Sequence, residues 1–467
     1  MPNRAAEKSA LTTVPDPLAE DHHRLKKTPQ PGGSSLPVLM VFCHLRWRFV
    51  FQRPQHLLSR LANRWRVIVV EEPVRSDGPA YLQSRLEQGA DGASSVEVLV
   101  PHTAVDAGGF HDDQLAVLQG LLQAHLQAER LQVDIAWLYT PMALPLAKAV
   151  RPRALVYDCM DELAAFKNAP RQLRQRESAL MKEAAFVLTG GPSLYESRRD
   201  ANPQVVCLPS AVDAGHYAPS SLNSDCESYA AAQALQGALP RPRLGFFGVI
   251  DERLDVALVA AVADAHPEWA VVMAGPVVKI DPATLPQRAN IHWIGMQPYE
   301  RLPYLLAGWD VALMPFALNE STQFISPTKT LEYMAGEKPV VSTAVRDVVT
   351  LYGDAVAVAD VSRGPQPFIA ACEELLAESP EKRCRRALTM LGLVSQHAWS
   401  RSADSVHRLL LEALVPALED DDALPAMAEA GVAELHQRMG SALERGAAQS
   451  GLRRGSIRLP SAGVGIG

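Results

Sequence analysis

A chain of 467 residues is long enough for two domains with tails, and 48% hydrophobic with 21% charged residues is ordinary for a soluble globular protein. The formal net charge of −7 argues against a general nucleic-acid-binding protein, which needs a basic surface. No apolar run approaches the ~20 residues that span a bilayer, and residues 1–17 lack the apolar stretch of a secretory signal. The sequence therefore predicts a cytoplasmic protein and leaves open a peripheral contact at the inner face of the membrane.

The chain begins with a tail and continues as two stretches of alternating strands and helices. Residues 1–35 combine prolines, a Gly-Gly-Ser-Ser run and mixed charge without periodicity, which predicts disorder. Residues 36–220 alternate apolar strand-like runs with helical patterns, which predicts a doubly wound parallel domain. The predicted strands there are 36–43, 67–70, 96–100, 135–139, 154–157, 186–189 and 205–208.

A segment rich in Ser, Ala and Gln at 221–243 is interpreted as an interdomain linker. The alternation restarts and runs over 244–395, which predicts a second doubly wound domain. An amphipathic helix within 396–415 and a flexible tail at 416–467, with one weak helix at 426–446, complete the predicted architecture. The predicted strands of the second domain are 244–248, 270–274, 291–294, 311–314, 340–341 and 355–358.

Several familiar site motifs are missing from the sequence. Neither domain opens on the G-x-G-x-x-G of a dinucleotide-binding fold, and Gly336-Glu-Lys338 is followed by proline rather than the Ser/Thr of a phosphate-binding P-loop. The chain also lacks H-E-x-x-H, the G-x-S-x-G nucleophile elbow and any C-x-x-C pair among its six cysteines. From the cysteine pattern we expect a reducing compartment and no zinc or other metal site. Because two such domains face each other, we expect the ligand site in the cleft between them.

The stretch Asn319–Ser342 combines a polar loop, a helix and a short buried strand. Ser326-Pro327 has the pattern of an N-cap followed by proline at the first helical position, and Gly336 is a helix stop. Lys329 would lie with the free N–H groups at the helix start, with Glu332 one turn further along the same side. A positive helix mouth followed by a carboxylate suits a ligand with phosphates and hydroxyls, such as a nucleotide sugar.

Four stretches resemble a known family over about 36–414. They are Thr328–Ser342, Ile291–Gln297 with Leu302–Pro315, Val206–Asp213, and Trp399 with the helix behind it. They are similar to the GT-B glycosyltransferases, particularly the large retaining family (glycosyl transferases group 1) that uses nucleotide sugars without a metal ion. The resemblance implies two Rossmann-like domains facing a cleft, with a C-terminal helix that crosses back to the first domain.

The resemblance also implies a donor site in the second domain. Glu332 would hold the ribose hydroxyls, Lys329 and Arg253 would meet the diphosphate, and Lys329 and Arg253 would assist catalysis. From the residues alone, Glu332 and Lys329 could instead form a surface ion pair, and Arg253 could be solvated. The other residues that this resemblance places at the donor are Gly248, Gly295, Met296, Ser326 and Thr328.

Two positions depart from the family pattern. Val249 replaces the usual arginine of a phosphate-binding basic pair. Phe324 stands where the family has the first of two glutamates, which normally lies near the reacting sugar. Glu320 and Asn319 are near enough in the loop to substitute, but the stereochemical outcome stays open.

The first domain would bind the acceptor, and a carboxylate follows one of its strands. The basic-aromatic loop after the first strand could grip a sugar or a phosphate, or it could simply pack against the sheet. The strand before Tyr157–Glu162 supplies, by the same resemblance, an active-site residue, and Asp161 is the predicted residue nearest the reacting centre. Crowding with Asp158 and Glu162 would raise carboxylate pKa values, which helps a general base. Asp161 could instead cap a helix, and Gly190-Gly191 could be either a plain turn or a point of close approach. The predicted acceptor residues are His44, Arg46, Trp47, Arg53 and His56.

These features predict an enzyme that moves a hexose-type sugar from a UDP- or GDP-sugar to a hydroxyl of a glycan or glycolipid, with retention implied by the resemblance. The nucleotide sugar would be a substrate, and no separate cofactor is expected. The alternatives are a non-hydrolysing nucleotide-sugar epimerase and a catalytically silent scaffold of the same fold.

Overall fold

The computed structural model describes residues 36–165, 169–320 and 322–419. The predicted disorder at 1–35 and the predicted helix at 426–446 lie outside the described residues. The predicted flexible tail at 416–467 begins inside the last described helix, which continues to Glu419, and the rest of that tail also lies outside.

A mostly parallel sheet forms the first half of the fold. Its strands run in the order β3-β5-β2-β1-β6-β7-β8-β9, and β4 pairs antiparallel with β5. Both faces of the central strand are covered, so all six of its residues, Val-Leu-Met-Val-Phe-Cys, are buried. The strands are β1 Val38–Cys43, β2 Arg66–Glu71, β3 Val74–Arg75, β4 Tyr81–Gln88, β5 Ser95–Thr103, β6 Ile135–Leu138, β7 Ala154–Cys159, β8 Phe186–Thr189 and β9 Val205–Cys207.

A second, wholly parallel sheet forms the other half, in the order β12-β11-β10-β13-β14-β15. Gly245 in its central strand lies so close to the indole of Trp309 that an added Cβ would overlap the ring. The central strand and the buried tryptophan therefore pack tightly. The strands are β10 Arg243–Phe247, β11 Ala270–Ala274, β12 Ile291–Gly295, β13 Val311–Met314, β14 Val340–Thr343 and β15 Ala357–Ala359.

Helices lie between the strands, and hydrophobic clusters fill the space on both faces of each sheet. The helices are α1 Arg53–Leu61, α2 Leu115–Ala128, α3 Leu144–Ala149, α4 Gln172–Glu183, α5 Pro192–Arg198, α6 Ala214–Tyr217, α7 Glu227–Gln236, α8 Val256–Ala265, α9 Leu302–Ala307, α10 Lys329–Ala335, α11 Arg346–Tyr352, α12 Gln366–Leu376, α13 Pro380–Gln396 and α14 Trp399–Glu419.

The prediction of two Rossmann-like sheets is confirmed. In each sheet the first strand is central, and the chain then builds outward on one side before crossing to the other. The crossing lies between β1 and β6 in the first sheet, and between β10 and β13 in the second. Ligands of open α/β sheets bind beyond the carboxyl ends of the strands at such crossings.

Several elements differ from the sequence prediction, which also lacked the short β3 and α6. The strand β4 was not predicted, because its side chains are mostly exposed and carry little apolar pattern. The segment interpreted as a linker contains α7, whose Gln236 is buried and donates to the Leu305 carbonyl. The short helix α11 was also not predicted.

The last helix, α14, crosses back to the first sheet and packs along α1. Trp399, its first residue, is buried in the same hydrophobic cluster as Leu57 of α1. The Trp65 indole donates to His407 Nδ1 at 3.0 Å, and Arg64 pairs with Asp404 at 2.7 Å. In the described part of the chain, no helix is both long and apolar enough to span a membrane.

Candidate functional site

A cavity of about 1000 Å³ opens between the carboxyl edges of the two sheets. Its walls come from the loop before α1 and the turn after β7 on one side, and from the turn after β10 and the start of α10 on the other. The predicted site residues that line it are Trp47, Arg53, His56, Asp161, Gly248, Arg253, Met296, Ser326, Thr328, Lys329 and Glu332. His44, Arg46 and Gly295 are not among the lining residues.

The helix α10 begins later than its sequence pattern predicts. Thr328 is its N-cap, and no side chain caps its first turn, so the prediction of Ser326 as the N-cap is wrong. The Ser326 carbonyl instead accepts a hydrogen bond from Ser210 Oγ at 3.2 Å, and the Ser326 side chain forms part of the cavity wall. The first turn of α10 still points into the cavity, where its backbone N–H groups favour an anion.

Lys329 and Glu332 form an ion pair inside this wall. Lys329 Nζ donates to Glu332 Oε2 at 2.8 Å and lies 5.1 Å from the centre of the Phe247 ring. The two side chains are 19% and 3% exposed, so the alternative of a surface ion pair is wrong. Glu332 brings a carboxylate, and Lys329 an ammonium group, to the same side of the cavity.

Arg253 reaches the cavity from the turn after β10. Asp251, which is buried, accepts hydrogen bonds from Arg253 Nε at 3.0 Å and from Arg253 Nη2 at 2.8 Å. This grip orients the guanidinium, and the nearby Asp251 and Asp161 carboxylates help to raise the pKa of Arg253. Arg253 is therefore a permanent positive charge held in the wall of the cavity.

Asp161 contributes a carboxylate from the opposite wall. Burial raises the pKa of Asp161, and the positive charges of Arg253 and Lys279 act against that rise. This rise in the pKa of Asp161 is not caused by crowding with Asp158 and Glu162, which the sequence had suggested as the cause. Those two carboxylates have other partners: Asp158 pairs with Arg53, and Glu162 pairs with Arg198.

Arg53 is held by a buried ion pair rather than standing free for an acceptor. Its Nε donates to Asp158 Oδ2 at 2.9 Å, and its Nη1 donates to the Leu208 carbonyl at 2.7 Å. Within the described residues, Arg53 Nη2 has no hydrogen-bond partner although it is buried. The pair ties the start of α1 to the end of β7, and Arg53 lines the cavity from this anchored position.

His56 belongs to an aromatic cluster that bridges the two halves of the molecule. Its ring stacks on Trp399 at 4.8 Å and meets Phe51 edge-on at 4.6 Å. Phe51 in turn lies 4.9 Å from Tyr299, which comes from the loop after β12. Burial holds the pKa of His56 well below its ordinary value, so this ring is neutral. Sequence reasoning missed Tyr299, although it follows closely after Gly295 and Met296, which were predicted to lie at the donor.

His44 and Arg46 lie away from the cavity lining. Arg46 is tied to the end of β2 through Glu71 Oε2 at 3.2 Å and the Glu72 carbonyl at 2.5 Å. Burial, with the charge of Lys279, lowers the pKa of His44 to about 4. Arg46 therefore braces the loop, whereas the neighbouring Trp47 lines the cavity.

Phe324 crosses to the first domain. Its side chain packs against the hydrophobic core on one face of the first sheet. Glu320 and Asn319 are exposed and do not line the cavity. A contact between domains therefore occupies the position where the family pattern has a glutamate, and neither polar neighbour replaces that glutamate in the cavity wall.

Every lysine and arginine that lines the cavity in the described part of the chain has a carboxylate partner. Beyond the three pairs already described, the partnerships are Arg48 with Glu87 at 2.7 Å and Arg60 with Asp213 at 3.1 Å. Among the described residues, no three His, Cys, Asp or Glu side chains cluster as metal ligands. An anionic ligand entering the cavity must compete with these internal pairs.

Comparison with known proteins agrees with this architecture. Residues 241–378 match the family model described as Glycosyl transferases group 1. A curated Bacillus subtilis (strain 168) protein, TuaH, whose name assigns it provisionally as a teichuronic acid biosynthesis glycosyltransferase, is 28% identical over 142 residues. The alignment covers 30% of this chain and 36% of that relative, so the chain matches about a third of the relative's length.

Solved structures share the fold over most of their length. Sucrose-phosphate synthase from Thermosynechococcus elongatus superposes with a TM-score of 0.59 at 14% identity, over 81% of this chain and 99% of that one. Anabaena HepE in complex with UDP and glucose superposes with a TM-score of 0.58 at 16% identity, over 80% of this chain and 100% of that one. The chain therefore has the GT-B fold, and residues 241–378 within it are similar to the glycosyl transferases group 1 family.

Proposed function

We propose that this protein is a glycosyltransferase that moves a hexose-type sugar from a UDP- or GDP-sugar to a hydroxyl of a glycan or glycolipid acceptor. One observation carries the proposal: Glu332, Lys329 and Arg253 converge on one wall of the interdomain cavity, opposite Asp161. The name of the Bacillus subtilis relative and the UDP held by the Anabaena protein support the reaction class and the donor class.

The donor would lie against the second sheet. Its diphosphate would meet the first turn of α10, where Lys329 can turn from Glu332 to a phosphate oxygen. Glu332 would then accept hydrogen bonds from the ribose hydroxyls, which a carboxylate with two oxygens can do. The base would follow the turn that contains Gly295 and Met296, with Gly248 beside the phosphates.

Catalysis would depend on stabilising the departing diphosphate. Negative charge grows on that group in the transition state, and fixed positive charges in a cavity poor in water stabilise it well. Arg253, already oriented by Asp251, and Lys329 would supply those charges in place of a metal ion. Asp161 would lie near the reacting sugar, where its raised pKa suits exchange of a proton with the acceptor hydroxyl.

The acceptor would enter from the first domain. Trp47 and Arg53 line the cavity on this side, where an aromatic residue and a guanidinium suit a sugar or a phosphate. His56, which is buried and neutral, would shape this wall without bearing charge. We retain peripheral membrane contact as part of the proposal for a lipid-linked acceptor.

Calorimetric titration of the full chain with UDP, GDP, UDP-glucose and GDP-mannose tests the donor site. Saturable binding of one nucleotide class is expected, and failure of both diphosphates to bind at millimolar levels would remove the enzyme proposal. Turnover of the bound nucleotide sugar with glycan acceptors, in buffer with EDTA, then tests transfer without a metal. Proton NMR of the product determines whether the anomeric configuration is retained, and a new sugar nucleotide formed without acceptor would indicate an epimerase instead.

A further inference from the structure

The two domains also meet through a hydrogen bond between Ser193 and Asp347, apart from the aromatic cluster and α14. The backbone N–H of Ser193 donates to Asp347 Oδ1 at 3.0 Å. Ser193 lies in the first turn of α5 in the first domain, whereas Asp347 lies in the first turn of α11 in the second. Asp347 is 1% exposed, so a buried carboxylate of one domain caps a helix of the other.

Gly191 shows how closely the domains approach here. A Cβ on Gly191 would overlap Asp347 Oδ2 and would lie 2.7 Å from the Cβ of Ser326. The φ angle of Gly191 is −176°, an extended conformation that any residue adopts. Glycine is therefore needed at this position for space and not for its backbone freedom. Its neighbour Gly190 faces the other way, against the Met160 carbonyl, where a Cβ would also overlap.

This contact joins two walls of the cavity. Gly190 lines the cavity from the first domain, and Ser326 and Thr328 line it from the second. Ser210, which follows β9, strengthens the same junction, because its Oγ accepts from Thr328 Oγ1 at 3.2 Å and donates to the Ser326 carbonyl. The separation of Gly191 from Asp347 thus determines where the start of α10 lies relative to the first domain.

The Asp347 contact combines an attractive hydrogen bond with a cost of desolvation. The cap is a charge-assisted hydrogen bond, which favours contact. The Asp347 carboxylate is buried, however, and it would regain water if the two domains separated. Attraction and desolvation therefore oppose each other at this contact.

We propose that Asp347 is a positioning residue that seats the Ser326–Lys329 turn against the Gly190-Gly191 turn and thereby sets the donor wall of the cavity. This role rests on the proposed function only in its effect on nucleotide binding. The contact itself does not depend on any ligand. It predicts that disturbing Asp347 or Gly191 loosens both α5 and the start of α10, although these segments belong to different domains.

Hydrogen–deuterium exchange of the full chain tests the contact without substrate. Asp347→Ala removes the cap, and Gly191→Ala adds a methyl group that forces the surfaces apart while keeping every hydrogen-bonding group. Each variant is expected to raise exchange about tenfold in residues 192–198 and in residues 324–332. Asp347→Asn keeps an acceptor oxygen and should restore most of the protection.

The matched control is Asp281→Ala. Asp281 accepts from the Ala283 N–H at 2.9 Å, so it caps a short turn wholly within the second domain. Its loss should leave exchange in both segments unchanged. Unchanged exchange in Asp347→Ala and Gly191→Ala would overturn the proposal, and so would increased exchange confined to residues 192–198, because the cap would then be local. If Asp347→Ala does not fold, Gly191→Ala alone decides.

Nucleotide titration separates this inference from the proposed function. If wild type binds UDP or GDP, Asp347→Ala should weaken that binding several-fold and Asp347→Asn should recover it. Wild-type binding with an Asp347→Ala affinity equal to wild type would overturn the positioning role. If wild type binds neither nucleotide, the proposed function fails, and the exchange experiment still decides whether Asp347 couples the two walls.

Discussion

Lys329 Nζ and Glu332 Oε2 lie 2.8 Å apart in the wall of the interdomain cavity, and the carboxylate is almost wholly buried. The cation proposed to bind a diphosphate is thus paired with the carboxylate proposed to bind the ribose. An incoming nucleotide would separate the pair and give each partner a new one. The two residues therefore bind each other before a nucleotide enters, and each would bind a different part of the nucleotide afterwards.

Substitution can separate these two roles. Lys329→Met should weaken the binding of both UDP and inorganic pyrophosphate by about tenfold or more, since a charged hydrogen bond is worth about 1.5–3 kcal/mol. Glu332→Gln should weaken the binding of UDP. It should leave the affinity for pyrophosphate unchanged or higher, because Lys329 then no longer pairs with a carboxylate. Titration calorimetry measures both ligands. Glu300→Gln, an exposed carboxylate at the rim of the same cavity, is the control. Equal losses of pyrophosphate binding in both variants would contradict the assignment.

The buried Arg53–Asp158 ion pair should contribute more to stability than the more exposed Arg48–Glu87 pair. Arg53→Met or Asp158→Leu leaves one buried partner uncompensated and should cost about 3–5 kcal/mol, whereas the double variant Arg53→Met/Asp158→Leu should cost clearly less than the sum. Urea unfolding followed by circular dichroism measures the three variants. Arg48→Met breaks the Arg48–Glu87 pair, in which Arg48 is 69% exposed, and should cost under about 1 kcal/mol. Additive single losses would show that Arg53 and Asp158 are not coupled.

Glu72 should make stability depend on pH. Burial raises the pKa of Glu72 to about 7, and Arg46 opposes the rise. Because the folded state disfavours the charged carboxylate, the wild type loses stability as pH rises from the unfolded pKa toward 7. Glu72→Gln removes this loss, so its advantage over wild type should grow by about 2 kcal/mol between pH 5 and pH 8.

Paired thermal and urea unfolding at the two pH values checks this prediction. Glu374→Gln on α12 is the control, because that glutamate is exposed and a change in its charge costs little. The advantage of Glu374→Gln should stay constant with pH. A constant advantage for Glu72→Gln as well would contradict the raised pKa.

Gly245 should tolerate no side chain. Gly245→Ala would drive a methyl group into the Trp309 ring and should cost about 1–3 kcal/mol or more, as overpacked cores do. Gly120→Ala on α2 is the matched control, because its Cβ would meet nothing within 4 Å. That change should stabilise by up to about 1 kcal/mol, since alanine favours a helix. Differential scanning calorimetry compares the stability of the two variants with that of the wild type. Unchanged stability in Gly245→Ala would show that Trp309 can move aside.

Local patterns in the sequence were enough for the buried strands and most helices. Phe186–Thr189, Ala270–Ala274 and Val311–Met314 have the predicted ends, because a strand covered on both faces is an uninterrupted apolar run bounded by polar residues. The exposed strand Tyr81–Gln88 carries no such signal and was missed. Alternation of the two element types then predicted two parallel sheets and placed a ligand at their carboxyl edges.

What each site residue touches was decided only by the tertiary structure. Arg53 and Asp158 are 105 residues apart, and Ser193 and Asp347 are 154 apart, so no local period links either pair. Arg46 and Trp47 are adjacent in the same loop, yet one braces β2 and the other lines the cavity. The sequence by itself determined the fold of each domain and most of the residues near the facing edges of the two sheets. Packing of one sheet against the other determined which charges are paired, buried or aimed at a ligand, because those properties depend on neighbours distant along the chain.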